Sequence, residues 1–159
     1  MSRFDLRPYQ EEFLDAVRRD FREHQRLLGI AATGAGKTIL ASELMRSWDG
    51  NCLFLADAQE LVRQNADKFY RYCGEFAGIE MGDSKALPGD RVVVATTQSI
   101  SRRLGKWPRD NFSLITVDEA HRNTIGAMAA QVLLHFSSAK VLGVTATPFR
   151  SDQIGRASC

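Results

Sequence analysis

Apolar residues along this chain recur at two different spacings, and the alternation between them predicts its elements. Tyr9, Phe13, Val17 and Phe21 recur every fourth position with Leu14 beside them, while Glu11, Glu12, Arg18, Arg19 and Arg22 take the intervening positions. That is the period of an amphipathic helix, and Pro8 suits its first turn. Leu27–Ala31 is a short unbroken apolar run, as expected of a strand covered on both faces. Ile39 to Trp48 returns to helical spacing, and Asp49-Gly50-Asn51 makes a turn. Cys52–Ala56, Arg91–Ala95, Phe112–Val117 and Lys140–Val144 read as further strands. Gln59–Tyr72, Thr97–Gly105 and Ile125–Phe136 read as helices, the first offering Leu61, Val62, Phe69 and Tyr72 to a core, the second capped by Thr96 or Thr97. Gly74–Asp90 holds four glycines and one proline and reads mainly as a loop, with room for one short strand. Strands alternating with helices imply an α/β fold with a mostly parallel central sheet flanked by helices. In such sheets ligands bind beyond the carboxyl ends of the strands. The phosphate-type loop after Leu27–Ala31, Thr96-Thr97, Asp118-Glu119 and Thr145 all fall at such ends and should line one edge. Residues 151–159 are polar and carry no pattern.

Composition narrows this picture without redirecting it. A length of 159 residues suits one domain, and 44% hydrophobic with 25% charged residues are the proportions of a globular protein rather than a disordered or fibrous one. A net charge of +2 announces no polyanion binder, so any nucleic-acid surface has to be local. The longest apolar runs are far too short to span a membrane, and the start lacks the apolar core of a signal peptide. Cys52, Cys73 and Cys159 have neither disulfide-framework nor metal-ligand spacing. A reducing cytoplasmic setting and unreactive thiols are therefore expected.

Two motifs carry the chemistry. Ala31-Ala32-Thr33-Gly34-Ala35-Gly36-Lys37-Thr38 stands between a strand and a helix. Small residues allow backbone N–H groups to turn around phosphate oxygens, and the following helix adds its positive end. Thr33, Gly34, Ala35 and Gly36 would form the cradle. Lys37 would reach the outer phosphates of a nucleoside triphosphate, and Thr38 would offer its hydroxyl to Mg²⁺. The strict pattern has Gly where Ala31 stands. Taken alone the loop fits a kinase, a motor or a glycine turn, since the relaxed pattern arises by chance in about one chain in a hundred of this size. The second motif, Val117-Asp118-Glu119-Ala120-His121, ends an apolar strand in two carboxylates. Such a pair is costly there unless it binds a cation or a proton. Asp118 can hold Mg²⁺, and Glu119 can position and deprotonate an attacking water. Solvated acids opening a helix are the alternative, but both motifs in this order at strand ends favour nucleotide chemistry. His24 and His135 read as ordinary histidines.

With these residues in place, the chain resembles the N-terminal RecA-like lobe of a superfamily two helicase of the Asp-Glu-Ala-His (DEAD/DEAH, DExH) kind, and within it the group related to type III restriction-enzyme helicase subunits. The resemblance covers about Leu6 to Arg150, and residues 1–150 would form one helicase ATP-binding domain. It implies the P-loop NTPase three-layer fold, ATP and Mg²⁺ as cofactors, and coupling of hydrolysis to movement along DNA or RNA. Leu6-Arg7-Pro8-Tyr9-Gln10 resembles the adenine-recognition motif, which gives Gln10 the adenine edge and packs Arg7 on the ring; by its chemistry alone Gln10 would be a helix-surface residue. Thr145-Ala146-Thr147-Pro148 resembles the coupling motif, placing Thr145 and Thr147 near His121, which would share that role. Ala95-Thr96-Thr97-Gln98-Ser99 resembles the motif whose hydroxyls and helix N-terminus hold a backbone phosphate, implicating Thr96, Thr97 and Gln98. Arg102, Arg103, Lys106 and Arg109 come soon after; they read either as a local basic stripe or as a solvated helix face. Relatives usually carry a His-Arg pair where this chain has Asp57-Ala58, leaving Arg63 either as a substitute contact or as an ordinary surface residue. A complete enzyme of this kind has a second RecA-like lobe supplying arginine fingers, so this chain is expected to be a fragment, a truncated reading frame or one half of a split protein. Mg-ATP binding with little unwinding alone is the resulting expectation, and a non-catalytic nucleotide- or partner-binding module is the alternative.

Overall fold

The structure is a computed structural model that describes residues 6–31, 34–118, 126–145 and 156–158, with the backbone alone for 34, 35 and 156–158. Among the described residues seven strands form one sheet: β1 (Arg26–Ile30), β2 (Cys52–Ala56), β3 (Gly78–Glu80), β4 (Val92–Thr96), β5 (Leu114–Asp118), β6 (Lys140–Thr145) and β7 (Arg156–Ser158). Their order is β3-β4-β2-β5-β6-β1-β7. The first six pair in parallel, and β7 runs antiparallel to β1. The helices are α1 (Pro8–Asp20), α2 (Gly34–Ser47), α3 (Gln59–Cys73), α4 (Thr97–Arg102) and α5 (Ala127–His135), with a 3₁₀ turn at Leu104–Lys106.

Period-two alternation divides the strand side chains between two cores. Cys52, Phe54, Ala56, Val92, Val94, Leu114, Leu142 and Val144 point toward α1, α2 and α3. Leu53, Leu55, Val93, Ala95, Ile115 and Val141 point toward α4 and α5, where Ile100, Val132, Leu133 and Phe136 meet them. A sheet buried on both faces needs unbroken apolar strands, and every residue of β2 and β4 is buried. This is the three-layer arrangement that the resemblance implied, with the mostly parallel sheet that the alternating pattern predicted.

The differences from the sequence pattern have local causes. α2 starts at Gly34, ahead of its apolar spacing, because small and charged residues fill its first turn. β1 ends at Ile30, although the Ala31 N–H still bonds Thr145 O at 2.9 Å. Tyr9 is 47% exposed rather than in the core, whereas Leu14, Val17 and Phe21 are buried. The 97–105 segment splits at Arg103 into α4 and the 3₁₀ turn. The short strand allowed within 74–90 is β3, at the sheet edge. β7 adds a strand where the sequence showed no pattern; three residues held by antiparallel backbone pairing to Leu27, Leu28 and Gly29 need no periodicity of their own.

Polar clamps unrelated to any motif tie the layers together. Glu43 on α2 accepts hydrogen bonds from Arg46 (2.9 and 2.6 Å) and from the buried Tyr72 hydroxyl of α3 (2.8 Å). Arg91 forms a bidentate pair with Glu75 and donates to Met45 O at 3.0 Å, a carbonyl near the end of α2. Burial pushes the Cys52 and Cys73 thiols up to about 12, with Glu75 adding to the effect, so both stay protonated and unreactive at neutral pH.

Candidate nucleotide site

The site arises from strand order. β5, β6 and β1 are adjacent, and their registers align Asp118 with Val144 and Ile30 with Thr145. The ends of three neighbouring strands thus meet where the chain enters α2. On β5, Asp118 shares the face of Leu114, which packs toward the α2 side. Lys37, in the first turn of α2, answers from above: its Nζ lies 2.8 Å from Asp118 Oδ1, with the two side chains 13% and 7% exposed. Gly34, Ala35 and Gly36 open α2 directly before Lys37. The first turn of a helix presents N–H groups outside the i to i−4 ladder and carries the positive dipole end. A basic side chain, helix-terminal N–H groups and a carboxylate therefore converge on one point. Phosphate oxygens suit the first two, and the hard oxygen donors of Thr38 and Asp118 suit Mg²⁺.

Thr145 is fully buried beside Ile30 at the end of β6. Gln10 is 5% exposed, against the surface position that its chemistry suggested. Its Oε1 accepts the Arg7 N–H at 2.9 Å, so the glutamine closes the N-terminus of α1, and Arg7 itself is exposed. Thr33, Glu119, His121 and Thr147 lie outside the described residues.

The residues expected to contact nucleic acid occupy the other half of the sheet. Thr96 ends β4 and its Oγ1 accepts the Ser99 N–H at 3.2 Å, capping α4. Thr97 is half-buried, Gln98 exposed, and Arg63 exposed on α3. The run of four cations is not a uniform stripe. Arg103 and Lys106 both pair with Glu80, whose side chain is fully buried on β3. Glu80 also accepts the Ala86 N–H at 2.8 Å. Burial raises the Glu80 pKa, but the bonds from Lys106, Arg103 and Ala86 outweigh it and hold the carboxyl below its ordinary value. Arg102 and Arg109 remain exposed. Nothing in the sequence marks Glu80, because its charged partners Arg103 and Lys106 lie more than twenty residues away.

The family model for the type III restriction enzyme res subunit matches residues 3–150. The chain belongs to that family. Among its relatives is the "Putative mitochondrial ATP-dependent helicase irc3" of Schizosaccharomyces pombe, 34% identical over 96% of this chain and 27% of that protein. The chain spans about a quarter of the length of the curated relatives it matches. Among solved structures, the UvsW helicase from bacteriophage T4 superposes with a TM-score of 0.69 at 21% identity, covering 95% of this chain and 55% of that one. A nuclease-deletion mutant of the Type ISP restriction-modification enzyme LlaGI, solved with a DNA substrate mimic, gives 0.66 at 20% identity over 96% of this chain and 18% of that one. These likenesses establish the RecA-like fold of a superfamily two helicase lobe, homologous to ATP-dependent helicases. Among the described residues no helix is long and apolar enough to cross a membrane.

Proposed function

We propose that this chain is the Mg-ATP-binding lobe of a motor that couples ATP hydrolysis to movement along a nucleic-acid strand. The observation that carries the reading is the contact of 2.8 Å between Lys37 at the start of α2 and Asp118 at the end of β5. Two groups brought from distant parts of the chain into a shielded pair at a helix N-terminus suit a triphosphate and its cation. In this reading Gly34, Ala35 and Gly36 present N–H groups to the phosphates, with Thr33 leading into them. Lys37 would neutralise the outer phosphates, and Thr38 and Asp118 would hold Mg²⁺, which when bound would supply positive charge against the phosphoryl oxygens. Glu119 orients water, Gln10 and Arg7 receive the adenine, and Thr145, Thr147 and His121 couple the nucleotide to the strand. Arg63, Thr96, Thr97 and Gln98 face that strand, which is DNA or RNA. A second RecA-like lobe, in cis or in trans, closes the cleft and supplies arginine; such a group is worth about 10³–10⁵ in rate in phosphoryl-transfer enzymes.

Titration of a fluorescent ATP analogue with Mg²⁺ against the wild-type chain and Lys37→Ala tests the reading. Strong loss of affinity in the variant is expected, and equal affinity overturns the assignment. Single-stranded nucleic acid should barely stimulate hydrolysis by this chain alone; robust stimulated turnover would remove the need for a second lobe.

A further inference from the structure

The end of the Phe13 ring rests on the backbone of β1 at Gly29. A β-carbon at Gly29 would lie 2.4 Å from Phe13 Cζ and 2.9 Å from Cε2. Going down α1, Phe13, Ala16, Val17 and Asp20 face Leu27, Leu28 and Gly29 around a cavity of about 30 Å³. Phe21, just past the other end of α1, packs edge-on against Trp48, whose Nε1 donates to Ser113 just ahead of β5, so α1 runs along β1 with its first turn toward the strand's carboxyl end. Gln10 precedes Phe13 by three residues, about 4.5 Å of helix. Ala31, where the phosphate loop begins, follows Gly29 by two residues, about 6.6 Å of strand. One contact between an aromatic ring and a glycine therefore sets Gln10 level with the loop entrance. The Gln10 amide cannot compensate for a shift of its helix, because its Oε1 is tied to the Arg7 N–H within that same helix.

We infer that Gly29 is a positioning residue for nucleobase recognition: its missing side chain lets Phe13 seat α1 at the height where Gln10 meets the base of a nucleotide held by the phosphate loop. The inference rests on the nucleotide-site reading above. The backbone of β1 cannot yield, since Gly29 pairs with Val144 on one side and with Arg156 on the other. The adjoining cavity is too small to receive a phenyl ring. A methyl group at position 29 accordingly pushes the end of the Phe13 ring off β1, which removes the contact that seats Gln10 and Arg7 and leaves Lys37 and Asp118 in place.

Calorimetric titration of the full chain with Mg-ATP, Mg-GTP and Mg-tripolyphosphate tests this. The wild type should prefer Mg-ATP to Mg-GTP. Gly29→Ala should lower Mg-ATP affinity about three- to tenfold, the equivalent of one hydrogen bond, and leave Mg-tripolyphosphate affinity unchanged. Adding Phe13→Leu, which withdraws the end of the ring, should restore the ATP preference in the double variant. The inference is overturned if Gly29→Ala keeps the ATP-to-GTP preference, if it weakens ATP and tripolyphosphate by the same factor, or if Phe13→Leu brings no rescue. Should Gly29→Ala fail to fold, Phe13→Leu alone loosens the same contact and should lower the preference, and a retained preference counts against the idea. Lys37→Ala isolates the underlying reading: it should weaken ATP and tripolyphosphate alike. Intact tripolyphosphate binding in that variant would overturn the nucleotide site itself, whatever Gly29→Ala does.

Discussion

The two halves of the sheet's carboxyl edge use their polar side chains differently. Along β5, β6 and β1, Asp118 and the fully buried Thr145 end neighbouring strands, and Lys37 meets Asp118 from the start of α2. Along β3, β4 and β2, Thr96 caps α4, and Glu80 holds Arg103, Lys106 and the Ala86 N–H. The same parallel topology builds both. The difference lies in the segment after each strand. β1 leads through small residues into the 14-residue α2, whose first turn brings Lys37 over the strand ends. β4 leads directly into a six-residue helix capped by its own threonine. A strand end becomes a site where small residues and a cation open the next helix, and a staple where a side chain of the strand caps that helix itself.

The largest expected effect breaks the nucleotide half. Lys37→Ala should weaken Mg-ATP binding by about a hundredfold, the value of a charge-assisted contact, and should also cost stability by leaving Asp118 shielded without its cation. Adding Asp118→Asn should recover that stability in urea unfolding without recovering binding. Recovery of both would mean that the pair is structural only.

Glu80→Ala should do the converse on the other half. It leaves Arg103 and Lys106 as facing like charges and strips the Ala86 N–H of its acceptor, at a cost of about 3 kcal/mol, with Mg-ATP affinity unchanged. A fall in affinity would show that the two halves are coupled. The same carboxylate sets a pH dependence. The pKa values of Glu80 and Glu43 are held below the ordinary 4.5 in the folded state; burial opposes this in both, but their hydrogen bonds prevail. Their stabilisation is therefore full above pH 4.5 and is lost as pH falls through the lower folded values. Urea midpoints measured from neutral pH into acid should fall there, and Glu80→Gln should flatten the curve.

Smaller effects sharpen the contrast. Thr96→Ala removes a helix cap and should cost about 1 kcal/mol; a Thr96 role in nucleic-acid binding would appear as lost affinity for single strands beyond that of a melt-matched control. Thr116, buried on β5 two residues before Asp118, has a hydroxyl without a hydrogen-bond partner among the described residues. Thr116→Val should stabilise the chain by about 1 kcal/mol or less, read as a higher thermal midpoint.

Local patterns along the chain were enough to define most of the elements and to nominate candidate site residues. Apolar runs such as Cys52–Ala56 could only be strands buried on both faces, and small residues before Lys37 and Thr38 could only serve a tight loop opening a helix. Local chemistry was sufficient there, because periodicity and backbone freedom are properties of neighbouring residues. Pairing across the chain was left to the tertiary fold. Lys37 reaches Asp118 only because β5 and β1 flank β6. Gln10 is 5% exposed, and Phe13 on the same helix meets Gly29 of β1, neither of which its own neighbours in sequence announce. Arg103 and Lys106 read as solvated cations until β3 brings Glu80 beneath them. Each of these depends on charge or shape meeting across a distance in sequence over which no local pattern extends.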